Sequence, residues 1–235
     1  LRCLVGSEMC IRDRLEAASR ASTCGNMQLY SLIVTQSREL REALAPCHFN
    51  QPMVTQAPCV ITVCADVHRF SMWCEQRDAE PCYDNFAWFL NGVTDALLAA
   101  QNLCVEAEAH GLGICYLGTT IYTAEEIARI LDLPKGVIPV TTIVVGHPDE
   151  SPELTDRLPL DAVVHCEKYH HYTSSEIDEL WAEKETSEET RRLLEENGLP
   201  NLAQIFTRNR YRAEDNLAIS RNYFALLKKQ GFFNN

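Results

Sequence analysis

The chain has 235 residues, 46% of them hydrophobic, enough to bury a full core, and is read as one elaborate domain with an appendage. Its net charge of -12 and pI near 5.0 exclude a general nucleic-acid or anionic-membrane binder, because a phosphate partner is repelled unless basic groups cluster locally. No apolar run is long enough to span a bilayer and no secretory signal pattern opens the chain, so the expected setting is cytoplasmic and without a membrane partner.

In chain order, "LRCLVGSEMCIRDR" (Leu1 to Arg14) has no clear period, and its "LVGSEMCIRDR" resembles a translated adapter sequence, so it is read as a foreign or disordered segment. Leu15 to Arg20 reads as the end of a helix, Leu29 to Thr35 as a strand, Arg38 to Ala45 as a helix and Cys59 to Ala65 as a β-branched strand. A long helix is expected from about Asn85 to His110, with Phe86, Phe89, Val93, Leu97, Ala100, Cys104 and Ala107 on one stripe. Small residues on that stripe permit close helix approach, either across a dimer seam or within one subunit. "GLGICYLG" (Gly111 to Gly118) reads as a helix end entering a short strand, and Thr123 with Glu126 as a capping box for a helix to Asp132. Val140 to Gly146 is a strand, Ser174 to Asn197 a charged solvent-facing helical stretch and Ala213 to Gln230 a last helix. The pattern is α+β, with a mixed, mainly antiparallel sheet wrapped by helices.

The eleven cysteines suggest a disulfide framework at first. Their number is odd, no C-x-x-C occurs, and Cys59, Cys64, Cys104 and Cys115 lie inside apolar runs, so they are read as reduced, structural thiols. "HCEKYHH" (His165, Cys166, His170, His171) matches no standard zinc spacing and is read as a strand-to-helix junction, with no metal expected. The glycines of "GLGICYLG" are neither spaced as G-x-G-x-x-G nor placed between a strand and a helix, which disfavours a dinucleotide fold. They still let backbone N–H groups approach a flat ligand. No nucleophile elbow, Walker loop or H-E-x-x-H occurs, and the carboxylates are read as solvated. Abundant amide and hydroxyl donors without a catalytic pair point to chemistry carried by a cofactor, with no side chain as catalyst.

The ordered set "AASRASTCGNMQLYSLIV", "QAPCVITVCAD", "AQNLCVEAEAHGLGICYLG", "LPKGVIPVTTIVVGHP" and "LTDRLPLDAVVHCEKYH" resembles the FMN-dependent nitroreductase family, nearest its oxygen-insensitive, NADPH-preferring branch with a C-terminal extension. The resemblance implies an intertwined homodimer with an FMN in each of two interface clefts. It implies a flavin domain over 15–172 with a shortened first helix, and a helical extension over 173–235 packing on the dimer. The implied activity is NAD(P)H-dependent reduction of nitroaromatics, quinones or similar small electron acceptors; the alternative is a truncated, non-catalytic relative that folds and dimerises without firm FMN binding.

By the same resemblance, Thr23, Asn26 and Gln28 fall on the flavin rim, Gln56 beside the ring, and Tyr116, Leu117, Gly118 and Thr119 along it. Side-chain amides and hydroxyls suit the polar pyrimidine edge of an isoalloxazine. Arg157 matches the arginine that holds the FMN phosphate, a task suited to a guanidinium fork, although Thr155 stands where some relatives carry a lysine. The family's opening H-R-S-x-R-like motif has no counterpart, and Arg12 and Arg14 are not put in its place. In "TRNRYR", Arg208, Arg210 and Arg212 are candidates for the NADPH 2'-phosphate or, equally, a solvated basic loop pairing with the glutamates of the preceding helix.

Overall fold

Four strands form one sheet in the order β1-β2-β4-β3: β1 (Tyr30–Thr35), β2 (Cys59–Asp66), β3 (Gly113–Leu117) and β4 (Val137–Gly146). Among the described residues every pairing is antiparallel, in keeping with the mainly antiparallel sheet expected. The computed structural model describes residues 8–233, with side chains from Asp13 onward; Leu1 to Ser7, the first part of the segment read as foreign, lie outside the described residues. The helices of the first half are α1 (Glu8–Ser19), α2 (Arg38–Leu44), α3 (Pro52–Gln56), α4 (His68–Glu75), α5 (Phe86–Ala109) and α6 (Ala124–Ile130). α1 crosses the Arg14/Leu15 boundary without interruption.

β2 is buried along its whole length and lies between β1 and β4, which explains its unbroken apolar character. Residues alternate between faces. Cys59, Ile61 and Val63 of β2 join Ile143 and Val145 of β4 against Ala96, Ala99, Ala100, Leu103 and Ala107 of α5. Val60 and Val144 face the other way, onto Leu44, Val54, Leu117 and Ile127. The pairing shifts register between Val63 and Cys64, so Val63 opposes Thr141 and Cys64 opposes Pro139.

The buried face of α5 differs from the expected stripe. Phe89, Gly92, Ala96, Ala99, Ala100, Leu103, Cys104 and Ala107 face the sheet, whereas Phe86 and Leu97 are exposed. α5 carries more apolar residues than one face holds, and Gly92 fixes which face approaches the sheet. A Cβ there meets Ala65 Cβ at 3.1 Å and Leu29 O at 3.2 Å, so a larger residue would push the helix off β2.

The expected capping box on α6 does not form. The Thr123 hydroxyl donates to Cys47 O at 2.7 Å, tying α6 to the 3-10 turn Ala45–His48 instead of to its own first turn. The cysteines whose side chains are described are all free thiols, and burial pushes Cys59 up to about 11.

The chain divides into two units, one running to Glu150 and resuming at Ile219, the other Ser151–Ala218. The second unit holds α7 (Ser174–Thr186), α8 (Glu188–Asn197) and α9 (Leu202–Ile205), and α10 (Ala213–Lys229) begins in it. The charged helical stretch consists of two helices that meet at Ser187, whose extended backbone ends α7 and whose hydroxyl accepts from Thr190 N to start α8. A full capping box between Thr173 and Glu176 opens α7. In the first unit, Tyr223, Leu226, Leu227 and Phe232 pack on Leu29, Phe89 and Ile138.

Candidate functional site

The rim segment is a 3-10 turn, Cys24–Asn26, leading into β1. Gly25, Asn26 and Gln28 all adopt left-handed backbone conformations, with φ of 55°, 56° and 54°. Glycine and asparagine accept this at little cost; a glutamine does so against a steric penalty. The consequence is that Asn26 and Gln28 stand exposed, with Gln28 Nε2 donating to Asn26 O at 3.2 Å. Thr23 precedes the turn in extended conformation.

Two buried carboxylates hold this turn in place. Asp95, on α5, accepts from Cys24 N at 2.8 Å and from Leu29 N at 3.0 Å, so both ends of the turn hang on one side chain. Asp66, at the end of β2, pairs with Arg69 at 3.4 Å, and Arg69 donates to the carbonyls of Gln28 and Tyr30. Neither carboxylate is evident in a sequence reading that places acids on solvated faces. For Asp95 the available signal is a lone acid within the apolar run "NGVTDALLAAQNL".

Tyr116, Leu117, Gly118 and Thr119 lie where β3 passes into the 3-10 turn Gly118–Ile121. Tyr116 faces α5, with its hydroxyl 3.5 Å from Gln101 Oε1. Burial, and then the neighbouring Cys104 thiol, hold its phenol far above the usual range, so it remains a neutral hydrogen-bonding group. Leu117 points to the opposite face and is buried. Gly118 is exposed, whereas Thr119 is buried with Oγ1 2.8 Å from His48 Nδ1. His48, also absent from the sequence reading, ends the turn that precedes α3.

Within one chain these residues form two separate groups. Tyr30 opposes Ala65 at the far end of β2, while Leu117 is level, through Thr142, with Thr62 near its middle. The rim turn leads into β1 and the Tyr116–Thr119 segment ends β3, the two edges of the sheet, about 14 Å apart at ordinary strand spacing. Gln56 is at the end of α3, just before the start of β2, about 24 Å along that strand from the rim end. It is exposed, in a helix end secured by Arg41, which donates to Thr55 O at 2.6 Å and to Ala57 O. A groove of about 710 Å³ between α6 and α10 is lined by none of these residues.

Arg157 is in the second unit, exposed, and folded onto its own segment: it donates to Thr155 Oγ1 at 2.6 Å and to Asp156 O at 2.8 Å. It lines a groove of about 630 Å³ that also contains Arg210 and Lys184. Lys184 pairs with Asp156 at 2.6 Å and holds that carboxyl below the usual range. The arginine triplet is dispersed. Arg210 lies over the Phe206 ring at 5.4 Å, Arg212 pairs with Glu214 and Asp215 of α10, and Arg208 is exposed. The acids that engage Arg212 belong to the following helix, not to the preceding one. Among the described residues, no group of His, Cys, Asp or Glu is arranged to hold a metal ion, and no helix is long and apolar enough to cross a membrane.

Comparison with known proteins bears on this geometry. An FMN reductase (NADPH) of Bacillus subtilis strain 168 is 33% identical over 158 residues, 66% of this chain and 64% of that protein. An NADPH-dependent oxidoreductase of Staphylococcus aureus strain USA300 is 35% identical over 168 residues, 70% of this chain and 66% of that protein. The matched region thus spans just under two thirds of the length of these curated relatives. A crystal structure from Bacteroides fragilis NCTC 9343, of a protein assigned as an oxidoreductase, superposes with a TM-score of 0.96 at 47% identity, covering 99% of this chain and 96% of that one. The model of the nitroreductase family matches residues 10–147, which hold the rim turn, the whole sheet and the Tyr116–Thr119 segment, and the chain belongs to that family.

Proposed function

We propose that the chain is a homodimeric NAD(P)H-dependent flavin oxidoreductase that binds FMN at each of two clefts and reduces nitroaromatics, quinones or similar electrophiles. The relatives named as an FMN reductase (NADPH) and an NADPH-dependent oxidoreductase support the chemistry. The observation that carries the reading is the separation of the rim donors from the Gly118–Thr119 segment on opposite edges of one sheet. A cleft that uses both needs a second copy of the chain. Leu90, Leu97, Leu98 and Val105, exposed on α5, offer that copy an apolar face.

The residues present fit FMN. A Cβ added at Gly118 meets nothing within 4 Å, so its backbone is open to a flat ring. Asn26 and Gln28 present amides that can both donate and accept toward a polar ring edge. Bound FMN would supply the hydride chemistry between NAD(P)H and the electron acceptor. The chain's share is to orient the stacked partners and to place uncharged donors where negative charge develops. Asp95 and Arg69 do this for the rim by fixing its backbone. Arg157, whose guanidinium is engaged by Thr155 and Asp156, is a candidate for the FMN phosphate, and Arg208, Arg210 and Arg212 are candidates for the NADPH phosphate. Free buried thiols suit a reducing, cytoplasmic setting.

The test is the visible spectrum of the purified protein after incubation with FMN and desalting, with anaerobic NADPH then added to the flavin-bearing fraction. The expected result is retained flavin in a dimer-sized fraction that bleaches with NADPH. A colourless protein, or flavin that stays oxidised, contradicts the reading.

A further inference from the structure

The 3-10 turn Ala45–His48 is held by two side-chain bonds to distant parts of the sequence, one to the 3-10 turn Gly118–Ile121 and one to the start of α6. His48 Nδ1 and Thr119 Oγ1 share a hydrogen bond of 2.8 Å, and Thr123 Oγ1 donates to Cys47 O at 2.7 Å. His48 is 0% exposed, yet the next two residues emerge from the core abruptly. Phe49 and Asn50 both have a φ of 54°, a conformation that a phenylalanine adopts only under constraint, and the Phe49 ring is 60% exposed, 6.0 Å from the Tyr122 ring. The buried imidazole thus immediately precedes two outward-turned residues, of which Phe49 is strained, while its Nδ1 engages the Thr119 hydroxyl.

We propose that His48 is a positioning residue of the flavin cleft, fixing the Gly118–Thr119 backbone through its bond to Thr119. This rests on the flavin reading above. Gly118 cannot hold itself: a glycine whose Cβ position is empty has no side chain to anchor it, and its backbone direction must be set by a neighbour. Thr119 is that neighbour, and its side chain is committed to His48. Thr119 O also accepts from Tyr122 N at 3.0 Å, so the position of Thr119 bears on the closure of the turn. Burial pushes the His48 pKa down to about 4, so the ring is neutral near pH 7 and makes this contact without bringing a charge into the core.

The experiment compares FMN dissociation constants for the wild type, His48→Leu, Thr119→Val, the double variant and His48→Asn, whose amide can occupy the place of Nδ1. Each protein is first shown to be folded by its far-ultraviolet circular dichroism. The two single variants should each lose about tenfold in FMN affinity, the double variant no more than either, and His48→Asn should recover most of the loss. The absorption band of bound flavin should shift in the single variants and return in His48→Asn. Unchanged affinity in His48→Leu, additive losses in the double variant, or equal losses in the leucine and asparagine variants overturn the role of His48 while leaving the flavin reading intact. If the folded wild type retains no FMN, the flavin reading falls and the positioning role falls with it.

Discussion

Asp95 Oδ2 accepts a hydrogen bond from the backbone N–H of Leu29 at 3.0 Å, across 66 positions of sequence, from a carboxylate that is 1% exposed. Its other oxygen takes Cys24 N. One charge buried in the middle of α5 thus sets the geometry of a turn that presents two amides to solvent. Asp95→Ala leaves two backbone donors without their acceptor and should cost about 3 kcal/mol, lowering the melting temperature by roughly 6–12 °C. Asp95→Asn should recover only part of this, because an amide offers one acceptor where two are needed. Thermal melts of the two variants, with and without FMN, check both the stability and the link to the rim.

Acid should weaken the fold through His48. The folded ring takes up a proton only near pH 4, whereas in the unfolded chain it does so at its ordinary value of 6.5. Between these values the unfolded state binds more protons, so stability falls as pH falls. The contribution is complete above pH 6.5 and lost by about pH 4, up to roughly 3 kcal/mol in all. Urea unfolding at pH 7.5 and 4.5 measures it, and His48→Asn should show a shallower dependence than the wild type.

Gly118 separates folding from cofactor binding. Its Cβ position is empty, so Gly118→Ala and Gly118→Val should change unfolding free energy by less than about 0.5 kcal/mol. Each added methyl occupies the space assigned to the flavin, and the valine variant should lose at least about tenfold in FMN affinity. Equal affinity in all three proteins would move the flavin away from this turn.

The exposed side of α5 carries the dimer prediction. Leu97 and Leu98 lie on a helix that already buries another face against the sheet. Replacing either by glutamate should raise the dimer dissociation constant by about 100-fold or more, because an unpaired carboxylate is then buried at the seam. Sedimentation velocity across a concentration series reads this directly, and flavin retention should decline in parallel.

Much of this architecture is legible in the sequence. β2 reads as an apolar run because it is an inner strand buried on both faces, and the long helix announces itself by length and period. Other features are hidden for physical reasons. Thr123 and Glu126 match a capping pattern, but a carbonyl 76 positions away takes the hydroxyl. α3 and α4, at five and eight residues, are too short to stand out. Asp95 and His48 act through partners 66 to 71 positions distant, which no local pattern records. The separation of the Cys24–Asn26 turn from Gly118 and Thr119 follows only from the strand order.

The central claim is that each cleft takes its rim from one copy of the chain and its Gly118–Thr119 floor from the other. The most direct measurement is complementation between two flavin-deficient variants, Asn26→Ala with Gln28→Ala, and Gly118→Val, unfolded together, refolded as a mixture and desalted after exposure to FMN. In a mixed dimer one cleft collects both defects and the other has none. The shared-cleft arrangement predicts recovery of flavin to about a quarter of the wild-type content in an equal mixture, although each variant alone binds little. A mixture that binds no more than the variants do separately would contradict it, placing both groups of residues in the same half of each cleft.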